Sequence, residues 1–387
     1  MGKPFFAMED YMPTRLSRFQ GSLMGVRIGD ALGMPFEILT RDQIAELTGP
    51  TGVTSFLAPQ HGAFDVPNWA KKLGGFKAGD CTDDWQMTRA GAQSLIFTHG
   101  QLNLHNLAWY YLAEMNRQKL GWDGTTVRGL VEIETWLKSQ QTQGREPGTF
   151  ATFPDEHQPG DGCGNGVAMR IAPHGLLVHR AYQNGRLMPG TLIPFQEIVW
   201  YVGGLTHPDP RASIGAFAIA SLIARLASNE GEPFTRERLV PSLSDLCLQI
   251  ISMELSQEAL VHMPSGVEAF STRLDLVKTL FKEGAGPTRF ATELGTSSYT
   301  LESVPFSIAM AICHPTDFRA ALKATIEAGG DTDTNAAIVG AIVGANVGLE
   351  GIPEEWRTFR PDFWEATKLG SELYGLSEQI RLAATQT

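Results

Sequence analysis

The chain has 387 residues and a formal net charge of −11, enough length for one large domain or two ordinary ones. Its apolar fraction of 43% and charged fraction of 19% are those of a globular protein with a sizeable core. No Lys/Arg-rich run occurs, so nucleic acid is not expected as a partner. The four cysteines, Cys81, Cys163, Cys247 and Cys313, stand far apart without a CxxC pair, which argues against a zinc ribbon and a disulfide framework and for a reducing, cytoplasmic setting.

The first residues, MGKPFFAMEDYMPTRLSRF, are broken by Pro4, Glu9, Asp10 and Pro13. They lack the apolar core of a secretory signal, and Phe6 stands where a myristoylation motif needs Ser or Thr. Residues 1–20 read as a leader and 21–387 as one domain. Gly21, Gly25, Gly29 and Gly33 then recur at helical spacing, giving a smooth face that another helix can approach closely. Asp30 and Glu37 stand where that helix should break at Pro35, which tips the segment toward a site. Thr51 to Ala58, TGVTSFLA, is the best strand pattern in the chain. A Gly/Pro-rich loop follows from Ala58 to Gly79.

In GDCTDDWQM, Thr82 can cap the next helix, with Asp83 and Asp84 in its first turn, where the helix dipole favours negative charge. Two adjacent acids there can equally present oxygens to a hard cation. Apolar residues at helical spacing predict helices over Asn103–Lys119 and Thr125–Lys138. Between Gly144 and Gly166 lies a second long loop. Its end, GDGCGNGVAMRIAPHG, alternates Gly162, Gly164 and Gly166 before a helix; such amides can cradle a phosphate, or simply lead the chain into the helix. Further helices are predicted over Phe195–Leu205, Ala212–Ala227, Glu237–Leu255, Val267–Phe281, Phe318–Ala328, Thr334–Val347 and Phe363–Leu382. His207 before Pro208 is a candidate ligand-binding imidazole. Gly284 to Thr300 reads as a third long loop. No apolar run reaches membrane-spanning length, the best being Ala336–Val347, so no membrane partner is expected. The chain reads as all-α.

GGDTDTNAAIVGAIVGA, from Gly329, repeats the logic of the TDD segment. Asp331, Thr332, Asp333 and Thr334 follow a Gly-Gly break and open an apolar helix. Capping explains one such start. Two in one chain, neither with His or Cys nearby, suggest a shared all-oxygen site suited to Mg²⁺, Mn²⁺ or Ca²⁺.

Taken in order, GDALGMPFE, GDCTDDWQM, GNGVAMRIAP, LTHPDPRA and GGDTDTNAAIVGAIVGA resemble the ADP-ribosylglycohydrolase family, of the dinitrogenase-reductase-activating glycohydrolase type. The resemblance spans roughly Gly21 to Pro353. It implies a single compact, orthogonal multi-helix domain with two Mg²⁺ ions in a cleft, Mn²⁺ being able to substitute. Carried over by position, the metal ligands would be Thr82, Asp83, Asp84, Asp331, Asp333 and Thr334. Glu37 matches a glutamate that in some members coordinates metal or gates the cleft. Gly164, Asn165 and Gly166 would lie along ADP-ribose, with His207 on its phosphate or ribose side. Asp30 and Trp85 complete the substrate-side candidates. Trp85 replaces the threonine that many relatives carry after TDD; it either lines the cleft or turns into the core.

The activity implied is removal of ADP-ribose from a modified protein side chain, arginine first. Two cations about 4 Å apart can hold ribose hydroxyls and polarise a water, and carboxylates stabilise an oxocarbenium-like state. Asp84 or Asp333, with Glu37, would handle the proton. The alternative is a protein that binds ADP-ribose, or neutralises an ADP-ribosyltransferase or toxin by contact, with little turnover. Trp85 and the leader motivate it.

Overall fold

A computed structural model describes residues 12–118, 121–142, 162–178, 182–183, 186–187, 195–256 and 268–384. Thr14 starts the first helix, its Oγ1 accepting from the Ser17 amide at 3.1 Å, and the helix runs Arg15–Gly33. It therefore begins inside the stretch read as a leader. Phe19 is fully buried, and Gln20 Nε2 donates to Ser371 Oγ at 2.9 Å. The domain thus starts before residue 20; residues 1–11 lie outside the described part.

The glycine period of this helix has the use its spacing suggests. A Cβ on Gly25 would lie 1.9 Å from the Gly340 carbonyl oxygen, and one on Gly21 2.4 Å from that of Gly344. Gly29 meets Ala336 and Gly33 meets Thr332 in the same way. The partner is the helix Thr332–Val347, every residue of which is buried. Glycine on the first helix at all four contacts, met by glycine at Gly340 and Gly344, lets the two backbones approach this closely. Around this pair pack the helices Pro210–Ala227, Thr300–Cys313, Phe318–Ile326 and Trp364–Ala384, giving the all-α, helix-on-helix architecture that the periodicity predicts.

Most predicted helices appear within a few residues of their expected bounds, among them Leu104–Arg117, Gly124–Thr142, Phe195–Gly204 and Arg236–Glu254. Three expectations are corrected. TGVTSFLA forms no strand: Gly52 takes φ +66°, and the Val53 amide donates to Glu327 Oε1 at 2.9 Å, so the segment is pinned to a helix end with no strand beside it. The described strand pairing is the short antiparallel contact of Tyr182–Gln183 with Arg186–Leu187. The loop from Gly284 contains a helix, Pro287–Leu294, opened by proline in its first turn. Finally, Pro210–Ala227 is long and apolar enough to cross a bilayer, with mean hydropathy 1.2, but 94% of it is buried in the fold.

Candidate active site

The helix Asp83–Phe97 is capped from another element. Thr82 stands at its N-cap, yet its side chain makes no capping bond. Asp30, on the first helix, takes that role: its carboxylate accepts from the Thr82 amide at 2.9 and 3.1 Å and from the Trp85 amide at 2.9 Å. A carboxylate on unpaired N–H groups at a helix start is favourable, though burial still pushes Asp30 up to about 6. The Thr82 hydroxyl lies 3.0 Å from Asp30 Oδ1, 3.1 Å from Asp84 Oδ2 and 3.5 Å from Asp333 Oδ2. It has one proton to give, so three carboxylates compete for one donor. Asp84 Oδ1 is buried with no hydrogen-bond partner.

The second acidic start meets the first across 251 positions. Gly329 and Gly330 take φ +78° and +85° and thread the chain between Leu39 and Thr296. Asp331, at the N-cap of Thr332–Val347, also makes no capping bond; its Oδ2 accepts from Asn165 Nδ2 at 2.7 Å. Asp333 Oδ1 accepts from the Thr334 amide at 3.0 Å, and the Thr334 hydroxyl lies 3.5 Å from Asp84 Oδ2. Asp83 Oδ2 accepts from the Asp123 amide at 3.1 Å.

Glu37 completes the acidic wall. One oxygen each from Glu37, Asp331 and Asp333 lie within 4.8 Å of one another. Its neighbour Ile38 has φ +62°, a costly conformation for a β-branched residue. The Ile38 amide donates to the Gly330 carbonyl at 2.7 Å, and His61 Nε2 donates to the Glu37 carbonyl at 2.8 Å. These bonds hold the strained turn and aim Glu37. Glu37, Asp83, Asp84 and Asp333 are all held well above the ordinary carboxylate range, and Asp331 above it, burial being the main cause. The nearest carboxylates add to it: Asp331 for Glu37, Asp123 for Asp83, Asp30 for Asp84 and Glu37 for Asp333. Five crowded carboxylates, an unpartnered oxygen and two threonine hydroxyls are a donor set suited to hard divalent cations.

This wall borders a cavity of about 1180 Å³. Gly164, Asn165, Gly166 and His207 also line it, with Asp123, Trp122, Arg211, Tyr299, Trp69 and Lys72. The glycine loop makes room for an imidazole: a Cβ on Gly166 would lie 2.5 Å from His207 Cε1, and one on Gly164 3.4 Å from Nε2. The Asn165 amide is already used, donating to the Ser298 carbonyl at 2.9 Å. Burial, with Arg170 adding to it, pushes His207 down to about 3, so the ring is neutral.

Glu37, Asp83, Asp84, Gly164, Asn165, Gly166, His207, Asp331, Asp333 and Thr334 all line the cavity. Thr82 lies just behind it, joined to Asp84 and Asp333. Two substrate-side expectations are corrected. Trp85 is 2% exposed and belongs to the core; in the first helical turn its side chain turns away from the cleft. Asp30 is fully buried beneath Thr82 and supports the site without lining it. Sequence reasoning missed Asp123, Ile38, Arg170, Thr206 and the Asp209–Arg211–Tyr299 group. The string LTHPDPRA contained three of these, but only its histidine stood out.

The sequence model of the family described as ADP-ribosylglycohydrolase matches residues 12–384. The chain is 26% identical over 380 residues to the ADP-ribosylhydrolase ARH3 of Xenopus tropicalis, covering 94% of this chain and 97% of that protein. It is 23% identical over 346 residues to the ADP-ribosyl-[dinitrogen reductase] glycohydrolase of Rhodospirillum rubrum, covering 89% and 90%. Among solved structures it is similar to an ADP-ribosylglycohydrolase-related protein complex, with a TM-score of 0.58, 21% identity and coverage of 94% and 99%.

Proposed function

Because the chain belongs to the ADP-ribosylglycohydrolase family and is a glycosyl-hydrolysing enzyme, we propose that it removes ADP-ribose from a modified protein side chain in a reaction that needs Mg²⁺. The observation that carries this reading is the meeting of two acidic helix starts at one hydroxyl, Thr82 Oγ1 lying 3.1 Å from Asp84 Oδ2 and 3.5 Å from Asp333 Oδ2. Mg²⁺ would be held by Thr82, Asp83, Asp84, Asp331, Asp333 and Thr334, with Glu37 beside them. When bound, the cations neutralise these carboxylates and supply Lewis-acid polarisation at the reacting ribose.

The chain's own residues supply the rest. His207 and the loop Gly164–Gly166, which line the same cavity, bind the anionic part of ADP-ribose. Asn165 orients the Asp331 carboxylate through its 2.7 Å bond. The net reaction adds water at the anomeric carbon and breaks its bond to the side-chain atom, which leaves with a proton. Burial and the Asp331 charge hold Glu37 well above the usual carboxylate range, and proton transfer at this site falls to Glu37 together with Asp84 or Asp333. Arginine is the first linkage to test.

The test is incubation with arginine-ADP-ribosylated protein, with serine-linked substrate in parallel, in Mg²⁺ or EDTA. Release of free ADP-ribose that EDTA abolishes, and that Asp83→Ala and Asp333→Ala lose, is the expected result. No release from either substrate, or release unchanged in both variants, would overturn the reading. The contact-only alternative loses one of its motives, since Trp85 lies in the core.

A further inference from the structure

Behind His207, on the cavity lining, a short chain of hydrogen bonds determines which of its nitrogens carries the proton. Arg170 is fully buried, and its Nη2 donates to Thr206 Oγ1 at 2.7 Å and toward the Val202 carbonyl at 3.4 Å. A guanidinium has no acceptor, so the Thr206 oxygen accepts from it. Thr206 Oγ1 lies 2.8 Å from His207 Nδ1. The hydroxyl still has one proton to place, and Nδ1 is the acceptor the structure offers it. Protonating Nδ1 instead would strand that hydroxyl proton at a buried position, a penalty of roughly tenfold or more in population. Nδ1 therefore accepts, and the ring proton sits on Nε2.

The ring is also held in place. Gly164 and Gly166 press on its face, with a Cβ on Gly166 only 2.7 Å from Nε2, and Gly162 packs against His207 Cα. His207 is one of the residues that line the cavity. The protein carboxylate oxygen nearest its Nε2, Asp123 Oδ2, is 3.9 Å away, beyond hydrogen-bond reach. No carboxylate among the described residues holds this N–H, which leaves it for a ligand atom.

We propose that Thr206, backed by Arg170, is a positioning residue that locks His207 as a neutral Nε2–H donor, so this wall selects ligand oxygens that accept a hydrogen bond, such as phosphate or hydroxyl oxygens, and His207 does not serve as a base. The proposal rests on the reading that ADP-ribose fills the cavity. It also explains a pairing that composition hides: a charged arginine is buried behind a binding histidine to orient a hydroxyl, while the histidine itself stays uncharged.

Two measurements test it on the full chain. The first is long-range ¹⁵N–¹H NMR of the ligand-free protein labelled at histidine, with the His207 signals assigned by their loss in His207→Asn. Wild type and Thr206→Ser should show a protonated Nε2 and a bare Nδ1 from pH 8 to pH 5. A protonated Nδ1, or an imidazolium at pH 6, would overturn the proposal. The second is calorimetric binding of ADP-ribose with Mg²⁺, alongside steady-state kinetics. Thr206→Val should mix the tautomers and weaken binding about tenfold, mainly in KM, whereas Thr206→Ser restores both. If Thr206→Val leaves tautomer and affinity unchanged, the positioning role is wrong. If ADP-ribose fails to bind wild type although Nε2 carries the proton, the tautomer lock stands and the substrate reading falls. If Thr206→Val does not fold, the wild-type spectrum and Thr206→Ser still decide the proposal.

Discussion

The two walls of the cavity solve opposite problems. The acidic wall, Glu37, Asp83, Asp84, Asp331 and Asp333, has too few donors: one hydroxyl is shared by Asp84, Asp333 and the underlying Asp30, and Asp84 Oδ1 has no partner. The His207 wall is nearly closed upon itself, with Arg170 on Thr206, Thr206 on His207, and Arg211 bidentate on Asp209. A wall left electrostatically incomplete is the one that the proposed Mg²⁺ would complete. A wall whose polar groups already hold one another is preorganised, and binding need not reorder it.

The sharpest way to break this contrast is to remove charge from the incomplete wall. Asp84→Asn should lower kcat/KM by about 100-fold or more, since it would delete one of the proposed Mg²⁺ ligands. In EDTA the same variant should melt no lower than wild type, because it relieves repulsion among buried carboxylates. Lost activity together with lost cation-free stability would show that the acids are structural.

A second test uses pH. The acidic wall and Asp30 have raised values, about 6 for Asp30. Above the ordinary carboxylate range near 4, the folded chain therefore binds more protons than the unfolded one, and cation-free stability falls as pH rises through that window. His174 and His207 are lowered, to about 4 and about 3. Below about 6.5 the unfolded chain binds more protons at these two, so they withdraw stability as pH falls. Mg²⁺ acts on the first effect alone. It should raise the melting temperature by a few degrees at pH 7.5, about 2.7 kcal/mol at 100-fold saturation, and by much less at pH 5. A Mg²⁺ shift independent of pH would contradict the assignment.

The smallest expected effects compare two residues that sequence alone placed together. Gly166→Ala puts a methyl 2.5 Å from His207; it should raise KM about tenfold and cost about 1–3 kcal/mol of stability. Trp85→Phe should cost about 1–3 kcal/mol through lost packing and leave KM within about twofold. Equal KM effects would erase the distinction between cavity wall and core.

Much of this was legible because it rests on spacing. The four-residue glycine period foretold a close helix partner, and two Thr/Asp starts after glycines foretold that distant segments share a site. What was not legible depends on long-range partners. Nothing in TDDW says that Thr82 leaves its capping role to Asp30, 52 positions away, or that Trp85 turns inward. Helical periodicity gives a residue's angle around its own axis, not which neighbour occupies that angle. Ile38 was invisible for a related reason: its positive φ opposes its own propensity and exists only because Gly330 and His61 hold the turn. Pro287–Leu294 was lost because Gly and Pro around it read as loop, although Pro287 opens a helix.

Where Gly25 faces Gly340 and Gly21 faces Gly344, there is no side chain to vary. A seam of backbone against backbone offers mutation almost no neutral neighbours, since any added carbon collides with a carbonyl. Asp30 and Asp333 sit on the two helices of this seam, so the spacing of the acidic centre is frozen against gradual drift. A saturation library across these glycines should return glycine almost alone. One across Trp69 and Lys72, on the cavity lining and exposed, should return many residues. New target preferences can then evolve at the exposed lining while the machinery beneath stays out of selection's reach.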